Sequence, residues 1–210
     1  MIFFLKKIYY SIFDKNYNST KTLINQYYTG KKKTVLSFSS IGGGIRHFQN
    51  EEFFNLTKKY NVLFVRDITR SWFNNVDVKL IKKNISKKPC YAIGHSMGGF
   101  NAIIFSTLHN VQKVIAFSPQ FSIHPNITKD TTFRNHALRI KDWKYPKLKF
   151  SKNTNYLLIF GDDDKEKYHG NLMPKQKNIK ILYIKNCDHK TAQKLKSQKK
   201  LYKIINGFFK

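Results

Sequence analysis

Gly94-His95-Ser96-Met97-Gly98-Gly99 follows the short apolar run Cys90-Tyr91-Ala92-Ile93 and leads into Phe100-Asn101-Ala102-Ile103-Ile104-Phe105. The first run has the length of a buried strand and the second reads as a helix. A Gly-x-Ser-x-Gly at such a junction is the pattern of a nucleophile elbow, a turn that exposes the serine at the edge of a sheet. Gly94 and Gly98 carry no Cβ and relieve the crowding beside the serine. The same turn leaves the Met97 amide at a helix N-terminus, where it can donate to an oxyanion. The bland alternative is a Gly-rich turn whose serine merely caps the helix.

Outward from the elbow, short β-rich runs alternate with longer helical ones. Strand candidates are 34–38, 62–65, 90–93, 114–117, 156–160 and 179–184. Helical candidates are 50–59, about 76–85, 97–108 and 191–209, the last with Leu195, Leu201, Ile205 and Phe208 at helical spacing. Short continuous apolar strands separated by helices imply an α/β domain, with a mostly parallel sheet of about six strands covered on both faces. Residues 33–210 form this domain, and 1–32 are a basic and apolar N-terminal segment packed on it. About 120–154 lack a periodic pattern but carry His124, Arg134, His136, Trp143 and Tyr145. A long irregular stretch rich in aromatics reads as a lid or substrate wall.

A serine nucleophile needs a base, and the base needs a group that fixes its tautomer. Ligands of such sheets bind at the carboxyl ends of the strands, so the partners should follow later strands. The run ending at Phe160 is followed by Gly161-Asp162-Asp163-Asp164, and the run ending at Ile184 by Lys185-Asn186-Cys187-Asp188-His189. Serine, acid, histidine is the chain order Ser96, aspartate, His189, unlike either common serine-protease order. Spacing alone does not rank the three aspartates. A solvated turn is the alternative for this run; hard-cation loops space their ligands further apart, and no metal is expected.

With those residues in place the chain resembles the α/β-hydrolase family over roughly 33–209. The resemblance implies a single-domain α/β-hydrolase fold. Many of these hydrolases carry Gly-x-x-Asp after the penultimate strand, which selects Asp164 as triad acid with Asp162 as the alternative. It also implies a second oxyanion donor in Ser39-Ser40-Ile41-Gly42-Gly43-Gly44, at the amide of Ile41, although Ser39-Ser40 stands where the family often has His-Gly. Candidate substrate contacts are Gly42, Gly43, Trp72, His95 and Trp143, with His95 expected to point away beneath the turn. More narrowly, 65–72 (Val-Arg-Asp-Ile-Thr-Arg-Ser-Trp), Ser-Met-Gly-Gly and 116–120 (Ala-Phe-Ser-Pro-Gln) resemble hydrolase-like proteins of bacterial capsule and lipopolysaccharide loci. Some of those are O-acetyltransferases that modify capsular polysaccharide from acetyl-CoA. The roles of Arg66, Asp67 and Trp72 are left open, shaping the wall beside the elbow being one.

The implied activity is acyl transfer or ester hydrolysis through an acyl-enzyme on Ser96. No bound cofactor is expected, and acetyl-CoA is the candidate acyl donor. The alternatives are a general carboxylesterase or thioesterase, and a non-catalytic glycan-binding protein on the same fold. Charge bears on the substrate: 39 Lys+Arg against 12 Asp+Glu give a net +27 over 210 residues, with only three glutamates, Glu51, Glu52 and Glu166. Such a field favours an anionic polysaccharide, another anionic substrate or a lipid surface. Nucleic acid is disfavoured, because no zinc-finger spacing, RNP pattern or basic zipper is present. Two cysteines, Cys90 and Cys187, imply packing, not a disulfide framework. The start, Met1 to Tyr10, is too short in its apolar stretch for a signal-peptide core or a membrane span. Cytoplasmic location follows as the default, with a basic amphipathic helix on the inner leaflet as the alternative for that segment. The sequence does not set the oligomeric state.

Overall fold

The computed structural model describes residues 21–42, 48–85 and 90–210. Seven strands form one sheet: β1 Thr22–Tyr27, β2 Thr34–Phe38, β3 Asn61–Asp67, β4 Cys90–His95, β5 Lys113–Phe117, β6 Asn155–Gly161 and β7 Ile179–Ile184. Their spatial order is β1-β3-β2-β4-β5-β6-β7, parallel throughout except for β1, which runs antiparallel to β3. All six expected strands are present as β2–β7. The seventh, β1, lies inside segment 1–32, expected to pack on the domain, and adds a strand to its sheet. Its Thr-Leu-Ile-Asn-Gln-Tyr mixes polar and apolar positions because it is an edge strand with intermediate and exposed residues along most of its length.

The central strands are buried on both faces, so their side chains feed two cores. Leu36, Phe38, Ala92, Phe100, Ile103, Phe105, Val114 and Leu158 belong to one. Val35, Val62, Phe64, Ile93, Ile115, Leu157, Leu201, Ile205 and Phe209 belong to the other. This two-sided burial is why the strands read as continuous apolar runs.

Helices α1 Val78–Lys83, α2 Met97–Ser106, α3 Arg134–Ala137, α4 Asp164–Asn171, α5 Thr191–Ser197 and α6 Leu201–Phe208 surround the sheet. Two helical expectations are corrected. Residues 50–59 form only a 3-10 turn, Phe54–Lys58, because Phe53 is left-handed at φ 60°. The C-terminal helix is broken in two at Lys199 (φ 56°), where Lys199 N donates to Lys196 O and Lys200 N to Leu195 O. Those two bonds form a Schellman cap, usually marked by glycine, so a lysine gave no warning of it.

Residues 120–154 contain one helical turn, α3, and are tied down along their length. Ile123, Ala137, Ile140 and Leu148 are buried in the core. Ser122 Oγ donates to Pro146 O, Tyr145 N to Asn74 Oδ1, and His169 Nε2 on α4 meets Asp130 Oδ2 at 3.0 Å. No helix among the described residues is long and apolar enough to cross a membrane.

Candidate active site

Strand β4 ends at His95, and Ser96 bridges it to α2 with φ 54° and ψ −124°. A non-glycine residue in that region costs about 1–3 kcal/mol and persists only where its surroundings enforce it. Here they do. A Cβ at Gly94 would lie 2.2 Å from the Gly98 carbonyl, and one at Gly98 would lie 2.2 Å from Phe38 O. The elbow therefore closes against the end of β2 only because both positions are glycine. Ser96 N donates to Phe117 O at 2.8 Å, which pins the turn to the end of β5. Ser96 is 2% exposed.

His189 lies in the loop between β7 and α5. Its Nδ1 meets Glu166 Oε1 at 2.7 Å. The carboxylate beside the histidine is thus Glu166, and neither Asp164 nor Asp162 occupies that place. The aspartate run does three other things. Asp162 accepts from the backbone amides of Asn186 and Cys187 at 3.0 Å each, bracing the loop that carries His189. Asp163 caps α4 by accepting from Glu166 N at 2.8 Å. Asp164 opens α4 from its first turn. No helix is expected from the sequence at this run, yet one starts at Asp164. Asp163-Asp164-Lys165-Glu166 has the spacing of a capping box, and this signal places Glu166 in the first turn of a helix.

Burial opposes the charge on Glu166, but hydrogen bonds from His189, Ser118 and the Gly161 amide outweigh it and hold its carboxyl below the ordinary range. An ionised carboxylate only accepts, so His189 carries its proton on Nδ1 in the neutral form and Nε2 bears the lone pair. That is the atom a base would use. The His189 side chain is 38% exposed and Nε2 has no hydrogen-bond partner among the described residues.

His95, the residue before Ser96, donates from Nε2 to His189 O at 2.8 Å. Its ring centroid is 5.0 Å from that of His189. Burial, then the neighbouring His189, push its pKa down to about 4.

The loop after β2 is equally constrained. Ser39 Oγ donates to Asn50 O, Gln49 Nε2 donates to Ser40 O at 2.7 Å, and Glu52 Oε1 accepts from both Ser40 N and Ser40 Oγ. Because the peptide is trans, fixing the Ser40 carbonyl toward Gln49 turns the Ile41 amide to the opposite side. Arg70 Nε takes the Ile41 carbonyl at 3.3 Å. Gly42 continues the loop at φ 66°, and Gly43 lies outside the described residues. Met97 begins α2, whose first amides have no carbonyl one turn earlier to accept them.

Trp72 is fully buried and reaches Ser96 through an intermediary: its Nε1 donates to Gln120 Oε1 at 3.0 Å, and Gln120 Nε2 donates to Ser96 Oγ at 3.2 Å. Phe133 of the insertion lies 5.1 Å from the Trp72 ring and 6.3 Å from that of His189. Trp143 stacks edge-on against His124 at 4.7 Å and is not brought to this cluster. Gln120 is not among the site residues expected from the sequence, although it ends the 116–120 run.

A serine on a strained turn, a carboxylate-paired histidine and two conditioned loops therefore share the carboxyl edge of one parallel sheet. The family model described as serine aminopeptidase, S33 matches residues 64–204. The chain belongs to this α/β-hydrolase family. Among solved structures, the capsule O-acetyltransferase of Neisseria meningitidis serogroup A aligns at 20% identity and TM-score 0.62, over 89% of this chain and 92% of that one. A histidine variant of that enzyme in complex with CoA aligns at 19% identity and TM-score 0.52, over 86% and 91%. The type II thioesterase YbtT of the yersiniabactin pathway aligns at 13% identity and TM-score 0.53, over 88% and 97%. At these identities the likeness is one of fold. A search of curated protein sequences finds no match.

Proposed function

We propose that the protein transfers or hydrolyses acyl groups through a covalent ester on Ser96. The observation that carries this reading is the 2.7 Å pairing of His189 Nδ1 with Glu166 at the sheet edge that also holds Ser96 in its left-handed turn. His189 Nε2 takes the serine proton as Oγ attacks the acyl carbonyl, then gives it to the leaving group. Glu166 stays ionised and stabilises the imidazolium. The amides of Met97 and Ile41 receive the oxyanion, each such donor being worth about 3 kcal/mol of barrier.

The substrate proposed is an anionic bacterial surface polysaccharide, with acetyl-CoA as acyl donor and a sugar hydroxyl as acceptor, or an O-acetyl ester of such a glycan. The net charge of +27 supports it, since acidic sugars and the phosphates of coenzyme A are both anionic. The kinship of fold with a capsule O-acetyltransferase supports it in a second way. The thioesterase likeness supports the alternative, in which water is the acceptor.

The test is labelling by a fluorophosphonate probe followed by acetyl-CoA turnover with a panel of acidic polysaccharides. Labelling that disappears in Ser96→Ala, with thiol release that depends on the glycan and weakens as salt rises, is the expected result. Labelling that survives Ser96→Ala removes the nucleophile. Slow thiol release indifferent to glycan removes the transferase and leaves the thioesterase.

A further inference from the structure

Residues 65–72 form a motif without a role in the chemistry above, and they end in a costly piece of backbone. Arg70, Trp72 and Phe73 are all left-handed, at φ 49°, 47° and 71°, and none is glycine. Such a run needs enforcement. The buried carboxylate of Asp67, at the end of β3, provides it by accepting from Ser71 N and Ser71 Oγ at 3.0 Å, from Phe73 N at 3.2 Å and from Thr69 Oγ1 at 3.0 Å. The turn so held buries Trp72 completely and directs its indole N–H at Gln120 Oε1.

An indole N–H can only donate, so it settles which end of the Gln120 amide is which. The oxygen faces Trp72, and the NH2 faces Ser96 Oγ at 3.2 Å and Ser118 O at 3.3 Å. Gln120 is 2% exposed and Trp72 is 0% exposed, so bulk water does not compete for these bonds.

We infer that Gln120 is a catalytic hydrogen-bond donor to the nucleophile oxygen itself, and that Trp72, on the Asp67 turn, is the positioning residue that locks its orientation. This rests on Ser96 being the nucleophile. During attack the Oγ–H bond breaks, its proton passes to His189 Nε2, and the Oγ–carbon bond forms while the carbonyl pair moves to oxygen. That pair then returns, the bond to the leaving group breaks and His189 passes the proton to the departing group. Negative charge builds on Oγ as the proton leaves, and the Gln120 N–H stabilises it there. In the second half the acceptor, water or a sugar hydroxyl, gives its proton to His189 Nε2 as it attacks the acyl carbon. The Oγ–carbon bond then breaks, the pair returns to Oγ and His189 delivers that proton to it. Gln120 again donates to the oxygen that accumulates charge. The oxyanion amides act on the carbonyl oxygen, so this donor serves a different atom of the same transition state.

The experiment is stopped-flow acetylation by p-nitrophenyl acetate, read as burst rate and steady-state rate, beside the rate of fluorophosphonate labelling. Gln120→Met keeps the side-chain length and removes the donor. Gln120→Glu keeps the oxygen toward Trp72 and offers Ser96 an acceptor in place of a donor. Both should label about 10-fold or more slowly than wild type, with burst and steady-state rates falling together and KM little changed. Trp72→Phe should lose less than either. Trp72→Phe combined with Gln120→Met should be no slower than Gln120→Met alone, since the two act in series. Labelling of folded Gln120→Met and Gln120→Glu within twofold of wild type overturns the inference. So does additive loss in the double variant, which assigns Trp72 a separate structural effect. Wild type that takes no label at all overturns instead the assignment of Ser96.

Discussion

His95 donates from Nε2 to the backbone carbonyl of His189 at 2.8 Å, so the residue next to the serine holds the loop of the histidine meant to serve it. The elbow and the histidine loop come from strands β4 and β7, which are separated in the sheet by β5 and β6. A bond between them sets the spacing of two groups that no single element could place. With its pKa pushed down to about 4 by burial and by His189, His95 is neutral at working pH, and the carbonyl fixes its tautomer with the proton on Nε2. It is a neutral donor and adds no second positive charge beside the imidazolium proposed to form on His189.

Replacing that donor should therefore cost activity more than stability. His95→Phe keeps the ring and removes the N–H; kcat for ester hydrolysis should fall about 10-fold, the scale of a misplaced catalytic group. His95→Gln, which can still donate, should recover part of it. Equal losses in the two variants, accompanied by equal falls in melting temperature, would assign His95 to packing.

Glu166 and the aspartates before it separate cleanly by mutation. Glu166→Gln removes the charge that holds His189 in its Nδ1–H tautomer, and kcat should drop on the order of 10³- to 10⁴-fold, as when a triad carboxylate is made an amide. Asp164→Asn should stay within about twofold of wild type, because Asp164 only opens α4. Asp162→Asn should fall between them, since its carboxylate braces the Asn186 and Cys187 amides three and two residues before His189. Steady-state kinetics on the three proteins decides it; a silent Glu166→Gln would be fatal to the assignment.

The contrast between Ser96 and Glu166 shows what the sequence makes legible. Ser96 is announced by steric necessity: two glycines four residues apart, each required by a backbone contact near 2.2 Å, between an apolar strand and a helix. His189 is announced by topology, as the histidine after the last strand. The acid is not, because a carboxylate can reach the same imidazole from several positions of one turn, and only the start of α4 decides which. Gln120 is harder still. Its role depends on Trp72, 48 residues earlier in the chain, and an amide that touches a serine leaves no periodicity or spacing to find. The sheet was readable since its buried strands are continuous apolar runs; β1 escaped because an edge strand need not be one.

The elbow itself can be tested by adding a single methyl group. Gly98→Ala would place Cβ 2.2 Å from Phe38 O, a backbone atom that cannot swing aside. The end of β2 or the elbow must move, and destabilisation of about 3 kcal/mol or more is expected from such a clash. Even a folded variant should lose labelling by the fluorophosphonate probe, since Ser96 and the amide of Met97 shift with the turn. Thermal melts and labelling together check it, and an unperturbed, fully labelled Gly98→Ala would mean that the contact is not close in solution.

Glu52 offers a prediction of opposite sign to the usual carboxylate. Burial pushes its pKa up to about 7, against which the two hydrogen bonds from Ser40 act only in part. Below the unfolded value near 4.5 the group is protonated in both states and costs nothing. As pH rises from there to about 7 the unfolded chain releases its proton first, so the native state binds the excess and stability falls; above 7 the penalty is constant. Glu166, whose pKa is lowered, acts the other way, stabilising above the unfolded value and losing that contribution as pH falls. Glu52→Gln retains an oxygen for Ser40 and removes the ionisation. Its melting temperature should match wild type near pH 4.5 and exceed it at pH 8, by an amount corresponding to roughly 1–3 kcal/mol. The Ser40 peptide leads directly to the Ile41 amide, so the same variant should keep its esterase activity at pH 8 while gaining stability. A Glu52→Gln protein less stable than wild type at pH 8 would show instead that the ionised carboxylate is what holds the loop.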